Sequence, residues 1–305
     1  MDKRKDSTVL LTGAGGFFSK EIINQLLKEN YEIYALTSNI ENLRERFKDN
    51  PNIHCFSNHE IKEIYFPWKK IQTLIHCAFT RSSLGYELVE SLNFTNEIFN
   101  MAAEKEVNSI INISSRSVYG QNKEIPWTEA TSPAPDTTYA LAKYTSEILL
   151  NNLKRFTGNK INITNIRMAG LIGPGLDQRI VSKFVYNALK NHKIKIIGGE
   201  QIFSFLDVKD AAVGITALLK NNPSSWKSVY NLGSNKCHSI VELAELVVDA
   251  SKTFSSDYVQ LELEKKDISF NASMDSSLFY KDTGWQPDLN MKNSIKLIFE
   301  YYKET

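Results

Sequence analysis

A tyrosine and a lysine four residues apart, Tyr139 and Lys143 in "YALAK", have the types and spacing needed for proton transfer. On a helix that begins near Tyr139, positions i and i+4 share one face. A tyrosine exchanges a proton with a sugar or alcohol oxygen only if its pKa falls from about 10 towards neutrality. A lysine ammonium one turn away favours the phenolate, and a drop of about three units requires roughly 4 kcal/mol. Because Tyr-x-x-x-Lys is also common as a simple surface pair on helices, the motif needs support from its surroundings.

That support comes from "IINISSRSVYG", in which an apolar run ends at Ser114 and Ser115. Ligands of open α/β sheets lie beyond the carboxyl ends of the strands. A serine hydroxyl at that position can hydrogen-bond the reacting oxygen and orient it for Tyr139. Serines near strand ends are usually turn formers. Ser115 is therefore a candidate because a glycine turn, a strand end and the Tyr139 helix are expected to meet in one cleft.

The glycine turn is "TGAGGFFS" at 12–19, between the apolar run "TVLL" and the amphipathic segment "KEIINQLLKEN". In a strand–turn–helix unit, Gly13 permits the tight turn and Gly16 lets the backbone approach a pyrophosphate. The helix N-terminus offers free N–H groups and the positive end of its dipole. Ser19 replaces the usual third glycine and is small, but it carries a Cβ atom. A plain strand-to-helix turn is the alternative, and the flanking elements favour a dinucleotide site.

The end of the second predicted strand, "ALTSN", bears on which dinucleotide binds. An acidic residue there would hydrogen-bond the ribose 2′-hydroxyl of NAD, whereas a nearby arginine suits the 2′-phosphate of NADP. Thr37, Ser38 and Asn39 supply neither group, and Arg44 and Arg46 lie one to two helical turns further on. The missing acid removes the main barrier to NADP, so the sequence favours NADP over NAD.

Apolar runs and helical periods alternate over roughly the first half of the chain. Helices are predicted at 40–48, at 86–106 and after Tyr139. The apolar runs that predict strands are "TVLL", "EIYAL", "NIHCF", "TLIHCA", "SIINIS" and "INITNIR". Strands that alternate with helices predict an α/β fold with a doubly wound parallel sheet. The runs lack polar alternation because helices cover both faces of the sheet.

The second half of the chain has fewer predicted strands and more loops. Helices are expected at 180–190, 208–220, 240–253 and 291–303, with a short strand after the first of them and another at "VYNLG". This pattern predicts a smaller, mixed α/β lobe that contacts the substrate. We therefore expect a dinucleotide-binding domain over 1–173, to which 203–232 returns, and a substrate lobe formed by 174–202 and 233–305.

Composition, net charge and cysteine spacing give no indication of a nucleic-acid partner, a membrane partner or a metal site. Hydrophobic residues make up 42% and charged residues 23% of the 305 residues, as in an ordinary globular protein. A formal net charge of +1 does not indicate a nucleic-acid or membrane partner. Cys55, Cys77 and Cys237 are few and far apart, so free buried thiols are expected rather than a metal site. Without a signal-peptide or membrane-spanning run, the protein is expected to be cytoplasmic.

Taken together, the motifs resemble those of the extended short-chain dehydrogenase/reductase superfamily, in particular the NAD-dependent epimerase/dehydratase type that modifies nucleotide sugars. The resemblance covers nearly the whole chain. Most of the motifs are loose individually, but their order and spacing are specific. They are "TGAGGFFS", "LIHCAF", the asparagine in "SLNFTNEIFNMAA", "NISSRSVYG", "YALAK", "IRMAGLIGPG", "SFLDVKDAAVGI", "VYNLGS" and "DTGWQP". The resemblance implies a Rossmann-type fold and a nicotinamide cofactor, NADP or NAD.

The resemblance also implies roles for individual residues. Tyr139 would be the acid/base, Lys143 would bind the nicotinamide ribose and tune Tyr139, and Ser115 would position the substrate oxygen. Further cofactor contacts would come from Gly13, Gly16, Phe17, Phe18, Thr37, Ser38, Asn58, Ala78, Phe79, Met168 and Ala169. Asn58 stands where the family usually has an aspartate near the adenine. Substrate contacts would come from Arg81, Ser117, Gly170 and Arg179. No metal is implied.

Departures from the family pattern narrow the expected activity. Sugar 4,6-dehydratases carry an acidic pair where this chain has Arg116 and Ser117, so dehydratase activity is not expected. Many UDP-sugar epimerases hold the diphosphate with an asparagine and an arginine, and this chain has Gly170 and Phe203 at those places. Either Arg81, Arg179 or Lys183 would hold the diphosphate, or the substrate differs. The missing acid in "ALTSN" also weakens the case for an epimerase that retains NAD.

The leading hypothesis is therefore an NADP(H)-dependent ketoreductase that acts on a nucleotide-linked 4-keto-6-deoxy sugar. A nucleotide-sugar 4-epimerase would use the same three side chains and return the hydride to the opposite face. A reductase of a non-nucleotide carbonyl compound and a non-catalytic dinucleotide sensor are further alternatives. A homodimer formed through the two long helices, about 86–106 and 139–157, is expected by resemblance.

Overall fold

A computed structural model of the protein describes residues 8–82, 84–121, 124–268 and 270–304. These residues form two compact units. Unit 1 contains the described residues of Met1–Gly120 together with Pro133–Arg167 and Ile215–Tyr230. Unit 2 contains those of Gln121–Ser132, Met168–Gly214 and Asn231–Thr305. The domain boundaries expected from the sequence divide the chain at other positions and remain a proposal.

Strands and helices alternate through the first 168 residues, and the six predicted strands are confirmed. The elements are β1 (Thr8–Thr12), α1 (Phe17–Lys28), β2 (Glu32–Thr37), α2 (Ile40–Phe47), β3 (Ile53–Ser57), β4 (Thr73–His76), α3 (Gly85–Glu104), β5 (Ser109–Ser115), α4 (Thr138–Phe156) and β6 (Asn162–Met168). The predicted helix ends agree with these bounds to within about two residues, which is the usual uncertainty of a helix terminus.

The rest of the chain contains more strands than the sequence predicts. Its elements are β7 (Gly170–Ile172), α5 (Ile180–Lys190), β8 (Lys193–Ile197), β9 (Ile202–Asp207), α6 (Val208–Leu219), β10 (Val229–Leu232), β11 (Cys237–Ser239), α7 (Ile240–Phe254), β12 (Gln260–Glu264), α8 (Ser277–Thr283) and α9 (Met291–Glu304). The single short strand expected between α5 and α6 is two strands, β8 and β9. Strands β7, β11 and β12 and helix α8 are not predicted, because each is only three to seven residues long.

The seven-stranded sheet has the order β10-β6-β5-β4-β1-β2-β3. Strand β1 is parallel to β2 and to β4, and β4 is parallel to β5. The chain thus runs outward from β1 to β3 and returns to the other side of β1 as β4. Ligands of such sheets bind beyond the carboxyl ends of the strands where the strand order reverses, which here lies between β1 and β4. The predicted doubly wound α/β fold is confirmed.

Each unit has its own hydrophobic core. In unit 1, Leu10, Leu74 and Ile110 on neighbouring strands are fully buried. The near-continuous burial along β1, β2 and β5 requires cover on both faces of the sheet, as the sequence predicts. In unit 2, helices α5, α7 and α9 pack on one another through a second cluster that includes Val185 and Val247.

The side chains considered as metal ligands do not assemble. Among the described residues, no group of three or more His, Cys, Asp or Glu side chains has the arrangement of a metal site. The three cysteines are free, but they are partly exposed rather than buried as expected. In the described part of the chain, no helix has both the length and the hydropathy to cross a membrane.

Candidate active site

The turn between β1 and α1 can be built only with glycine at its first position. Gly13 has a φ of +66°, a left-handed conformation that strains other residues. A Cβ atom at Gly13 would lie 2.8 Å from the Cα atom of Ala78, the second residue after β4. The two loops that follow β1 and β4 therefore touch at the position where the sheet order reverses.

The first turn of α1 is open to a ligand. Gly16 is the N-cap residue, is exposed, and has no side chain to cap the N–H groups that follow. Phe17 and Phe18 are half-buried beside it. Unpaired N–H groups and the positive end of the helix dipole fit a pyrophosphate. Ser19, the departure from the glycine pattern, is buried. Burial raises the pKa of the Cys77 thiol to about 12, and Ser19 acts in the opposite direction.

A buried histidine holds the loop after β4 in place. The hydroxyl of Thr12 accepts hydrogen bonds from the backbone N–H groups of Cys77 and Ala78, and it lies 2.9 Å from Nδ1 of His76. Nε2 of His76 lies 2.9 Å from the Thr95 hydroxyl, which itself donates to a backbone carbonyl. Burial, followed by the charge of Lys143, lowers the pKa of His76 to about 3, so the ring is neutral. No local pattern indicates a role for His76, because its partners are 64 and 19 residues away along the chain.

The opposite end of the predicted cofactor site lies at β2 and β3. Thr37 ends β2 and its hydroxyl accepts from the backbone N–H of Asn39, while Ser38 is exposed. Asn58 directly follows β3, and its buried Oδ1 atom has no hydrogen-bond partner among the described residues. A buried acceptor without a donor is costly, and an amino group of a bound ligand such as adenine would satisfy it. The glycine cradle and the Asn58 oxygen therefore both fit a dinucleotide.

The charge of Arg44, the arginine closest in sequence to β2, acts on residues in and after β3. A hydrogen bond from the Ser57 backbone N–H, with a contribution from the charge of Arg44, lowers the pKa of Glu60. Arg46 lies over the ring of its neighbour Phe47, 5.3 Å from the ring centre. These contacts leave the choice between NAD and NADP open.

Tyr139 and Lys143 meet around one aromatic ring. Helix α4 begins at Thr138, after Thr137 caps it by accepting from the Ala140 N–H. The ring of Phe79 lies 4.0 Å from the Lys143 ammonium nitrogen and makes an edge contact with the Tyr139 ring at 6.2 Å between centres. Lys143 also donates to the Ile113 carbonyl oxygen at 2.8 Å. The expected common face of Tyr139 and Lys143 is present, and Phe79 lies across it.

Burial dominates the electrostatics of Lys143. Only 5% of the residue is exposed, and desolvation lowers its pKa to about 7. The charge of Arg81 acts in the same direction, whereas Cys77 and Glu147 act against it. A lysine with a pKa near neutrality can change its charge when a ligand binds.

Ser115 ends β5 and begins a 3₁₀ turn formed by Arg116–Tyr119. Its hydroxyl oxygen accepts from the backbone N–H of Ser117 at 3.2 Å and from the Ser117 hydroxyl at 2.9 Å. Ser115, Tyr139, Lys143 and the glycine cradle all lie in unit 1. The arrangement can bind a dinucleotide and move a proton at a neighbouring oxygen.

A family model supports this interpretation. The model described as the NAD dependent epimerase/dehydratase family matches residues 9–233. The chain belongs to this family.

Individual proteins are similar to this chain at low sequence identity. Human dTDP-D-glucose 4,6-dehydratase is 25% identical, over 97% of this chain and 90% of its own length. UDP-N-acetylglucosamine 4-epimerase from Bacillus cereus is 20% identical, with a TM-score of 0.81 over 98% of this chain and 97% of that chain. RMD from Pseudomonas aeruginosa, complexed with NADPH, is also 20% identical, with a TM-score of 0.78 over 98% and 99% of the two chains.

In this member of the epimerase/dehydratase family, a buried ion pair lies behind the candidate site. Glu147, one turn after Lys143, accepts from Arg167 through both carboxylate oxygens, at 2.8 to 3.3 Å. It also accepts from the Ser114 hydroxyl at 2.5 Å. The Arg167 guanidinium lies over the Tyr119 ring, 4.8 Å from its centre. None of the sequence motifs indicates this network, although a glutamate at i+4 from a candidate catalytic lysine is a usable signal.

Among the substrate candidates in unit 1, Arg81 lies beside the proposed acid/base, Tyr139. It is exposed, and its guanidinium carbon lies 5.9 Å from the centre of the Tyr139 ring. Ser117 contacts Ser115 as described above. The substrate candidates Gly170 and Arg179 belong to unit 2, where Gly170 begins β7 and Arg179 precedes α5. The cofactor candidates Met168 and Ala169 are buried in the same unit. Their predicted contacts with cofactor and substrate remain predictions.

Phe203, the residue in place of the diphosphate-binding arginine, belongs to an aromatic cluster. Its ring centre lies 6.1 Å from that of Phe205 and 5.9 Å from that of Phe270. The cluster carries no charge, so it offers no guanidinium to a diphosphate.

Proposed function

We propose that this protein is an NAD(P)-dependent oxidoreductase that reduces the 4-keto group of a nucleotide-linked 4-keto-6-deoxy sugar. One observation carries the proposal. Ser115, Tyr139 and Lys143 accompany a glycine cradle in unit 1, while Arg116 and Ser117 replace the acidic pair of the dehydratases. Without a carboxylate to remove a ring proton, the set is suited to reduction of a carbonyl rather than to loss of water.

Lys143, Tyr139 and Ser115 each have a different role in the proposed reaction. Lys143 binds the ribose next to the nicotinamide, and its charge favours the phenolate form of Tyr139. The bound dinucleotide supplies the hydride that the carbonyl carbon accepts. Tyr139 gives its proton to the carbonyl oxygen and regains one from solvent. Ser115 hydrogen-bonds the same oxygen and shares its developing charge.

The cofactor proposed is NADP, with NAD as the alternative. Thr37 and Ser38 at the end of β2 present no carboxylate to repel a 2′-phosphate. The Asn58 amide suits the adenine amino group of either dinucleotide. A relative of the same fold is complexed with NADPH, and the family is described as NAD dependent.

A nucleotide sugar is the proposed substrate because two relatives are named for such compounds, a dTDP-linked and a UDP-linked sugar. Arg81, beside Tyr139, supplies a positive charge for its phosphates, and Arg179 is a second candidate. Gly170 and Phe203 supply no such charge, so the diphosphate would be held differently from that of the UDP-sugar epimerases.

The test is direct. The purified protein is mixed with NADPH and 4-keto-6-deoxy sugars linked to dTDP, UDP or GDP, and absorbance at 340 nm is followed. We expect oxidation of NADPH with at least one of them. Tyr139→Phe should lower kcat by about 10²- to 10⁴-fold and leave NADPH binding unchanged. Constant absorbance across the whole panel with the wild-type protein would contradict the proposal.

A 4-epimerase is the second candidate, since the same three side chains serve both reactions and a UDP-N-acetylglucosamine 4-epimerase has this fold. It predicts tightly bound NAD and interconversion of C4 epimers without net oxidation. Native mass spectrometry of the purified protein, with NMR of UDP-sugars after incubation, distinguishes the two. A protein purified empty that binds only NADPH would count against the epimerase.

Whether the protein is a reductase or an epimerase, we propose that it forms a homodimer whose interface consists of α3 and α4. Tyr86 and Val89 on α3, and Leu141 and Ile148 on α4, are exposed apolar side chains. Light scattering after gel filtration tests the assembly, and Leu141→Glu with Ile148→Glu should yield monomers.

A further inference from the structure

The hydroxyl oxygen of Ser115 accepts two hydrogen bonds from one neighbouring residue. The backbone N–H of Ser117 donates at 3.2 Å, and the Ser117 hydroxyl donates at 2.9 Å. A serine hydroxyl has two acceptor lone pairs and one proton. Both lone pairs of Ser115 are therefore in use, and only its proton is left for a further partner.

That proton is free within the described part of the chain, where Ser115 donates to no residue. The adjacent Ser114 hydroxyl donates to Glu147 and does not compete for it. The backbone bond from Ser117 is the ordinary cap of a short turn, because Ser115 is the N-cap of the 3₁₀ turn at Arg116–Tyr119. The second bond is not part of that capping pattern, since it needs a hydroxyl side chain at position 117.

We propose that Ser117 is a positioning residue that fixes Ser115 as a hydrogen-bond donor to the reacting oxygen. This inference rests on the proposed function. The inference adds a detail to the proposed mechanism. A Ser115 hydroxyl with no free lone pair cannot accept the Tyr139 proton and pass it on. The proton then moves directly between Tyr139 and the sugar oxygen, and Ser115 only shares the developing charge.

The proposed role of Ser117 explains why a serine, rather than the acidic residue of the dehydratases, would suit position 117. An ionised carboxylate, which the dehydratases carry there, has no proton to donate to Ser115. A serine at 117 supplies that proton. Ser117, which stands where the dehydratases have an acidic residue, thus also orients Ser115 to stabilise an oxyanion.

A double-mutant cycle tests the inference. Steady-state kcat and KM are measured for Ser117→Ala, Ser117→Thr, Ser115→Ala and the double variant Ser115→Ala/Ser117→Ala, with NADPH and the sugar that the wild-type protein turns over. We expect Ser117→Ala to lower kcat about tenfold with little change in KM. Ser117→Thr keeps the hydroxyl and should retain near wild-type kcat. Because Ser117 acts through Ser115, the double variant should be no slower than Ser115→Ala alone.

Thermal melting of each variant reports whether it folds, and the threonine variant controls for a merely structural effect. Additive losses in the double variant would overturn the inference, since Ser117 would then act on the substrate directly. A raised KM with unchanged kcat in Ser117→Ala would overturn it as well. If the wild-type protein turned over none of the sugars, the proposed function would fall and this inference with it. Turnover by the wild type with additive losses would overturn this inference alone.

Discussion

The ammonium nitrogen of Lys143 lies over the face of the Phe79 ring, 4.0 Å from its centre. A desolvated cation over an aromatic face is stabilised by about 2 kcal/mol or more. Phe79 is the third residue after β4, in the loop that closes against Gly13. The loop that completes the predicted pyrophosphate site therefore also sets the environment of the candidate catalytic lysine.

Removing the ring should lower the pKa of Lys143. Phe79→Leu keeps an apolar side chain but loses the aromatic face, so the charged form of Lys143 loses stabilisation. The pKa, already about 7, is expected to fall by about one unit. An NMR titration with lysine labelled at the ε-carbon measures the change. Phe79→Tyr retains the ring and should titrate as the wild type does, and a leucine variant with the wild-type pKa would contradict the prediction.

The low pKa of Lys143 also predicts a pH-dependent stability. In the unfolded chain the group titrates near 10.5, and in the folded protein near 7. Between these values the unfolded state binds more protons, so the stability contributed by this group rises with pH. Below pH 7 the folded protein must bury the charged form of Lys143, so the full free-energy cost of burying that charge lowers its stability.

Lys143→Met removes this cost. Its free energy of unfolding should exceed that of the wild type most at pH 6, by up to about 5 kcal/mol, and the difference should shrink towards pH 10. Urea denaturation at several pH values measures it, and other groups cancel because they are the same in both proteins. A difference that does not vary with pH would show that burial of the charge is not the cause.

The sequence was sufficient for the parts of the site that depend on local spacing. Tyr139 and Lys143 follow from the helix period, and Ser115 follows from the end of an apolar run. Gly13 is recognisable because it lies between a strand and an amphipathic helix. In each case the relevant neighbours are within a few residues or within one strand–turn–helix unit.

Long-range pairs could not be predicted in the same way. The Glu147 carboxylate binds Arg167 from the neighbouring strand, and no local pattern selects this arginine among the basic residues of the chain. The effect of Ser19 on the pKa of Cys77 likewise connects the first turn of α1 with the loop after β4. Strand β12, "QLELE", alternates charged and apolar residues, but it is only five residues long and pairs with the equally short β8. Such contacts depend on the topology rather than on periodicity.

Breaking the buried ion pair should destabilise the protein strongly. Glu147→Gln leaves an acceptor for Ser114 but removes the charge that Arg167 needs, and an uncompensated buried charge costs about 3–5 kcal/mol. Chemical denaturation measures the loss. Asp249→Asn, which breaks the exposed pair with Lys252, is the matched control and should leave the free energy of unfolding unchanged within error. Equal effects of the two variants would contradict the role given to burial.

The glycine cradle makes the sharpest prediction about cofactor binding. In Gly13→Ala the new methyl group would lie 2.8 Å from Ala78, on a backbone with positive φ, so the loops after β1 and β4 must separate. We expect dinucleotide binding to weaken by tenfold or more, about 1.4 kcal/mol, as measured by fluorescence titration with NADPH. Gly85→Ala, at the first residue of α3, meets no atom within 4 Å and serves as the control. It should bind NADPH as the wild type does and melt at the same temperature or slightly higher, because alanine favours the helix. Unchanged NADPH binding by a folded Gly13→Ala protein would mean that the turn after β1 is not the pyrophosphate site.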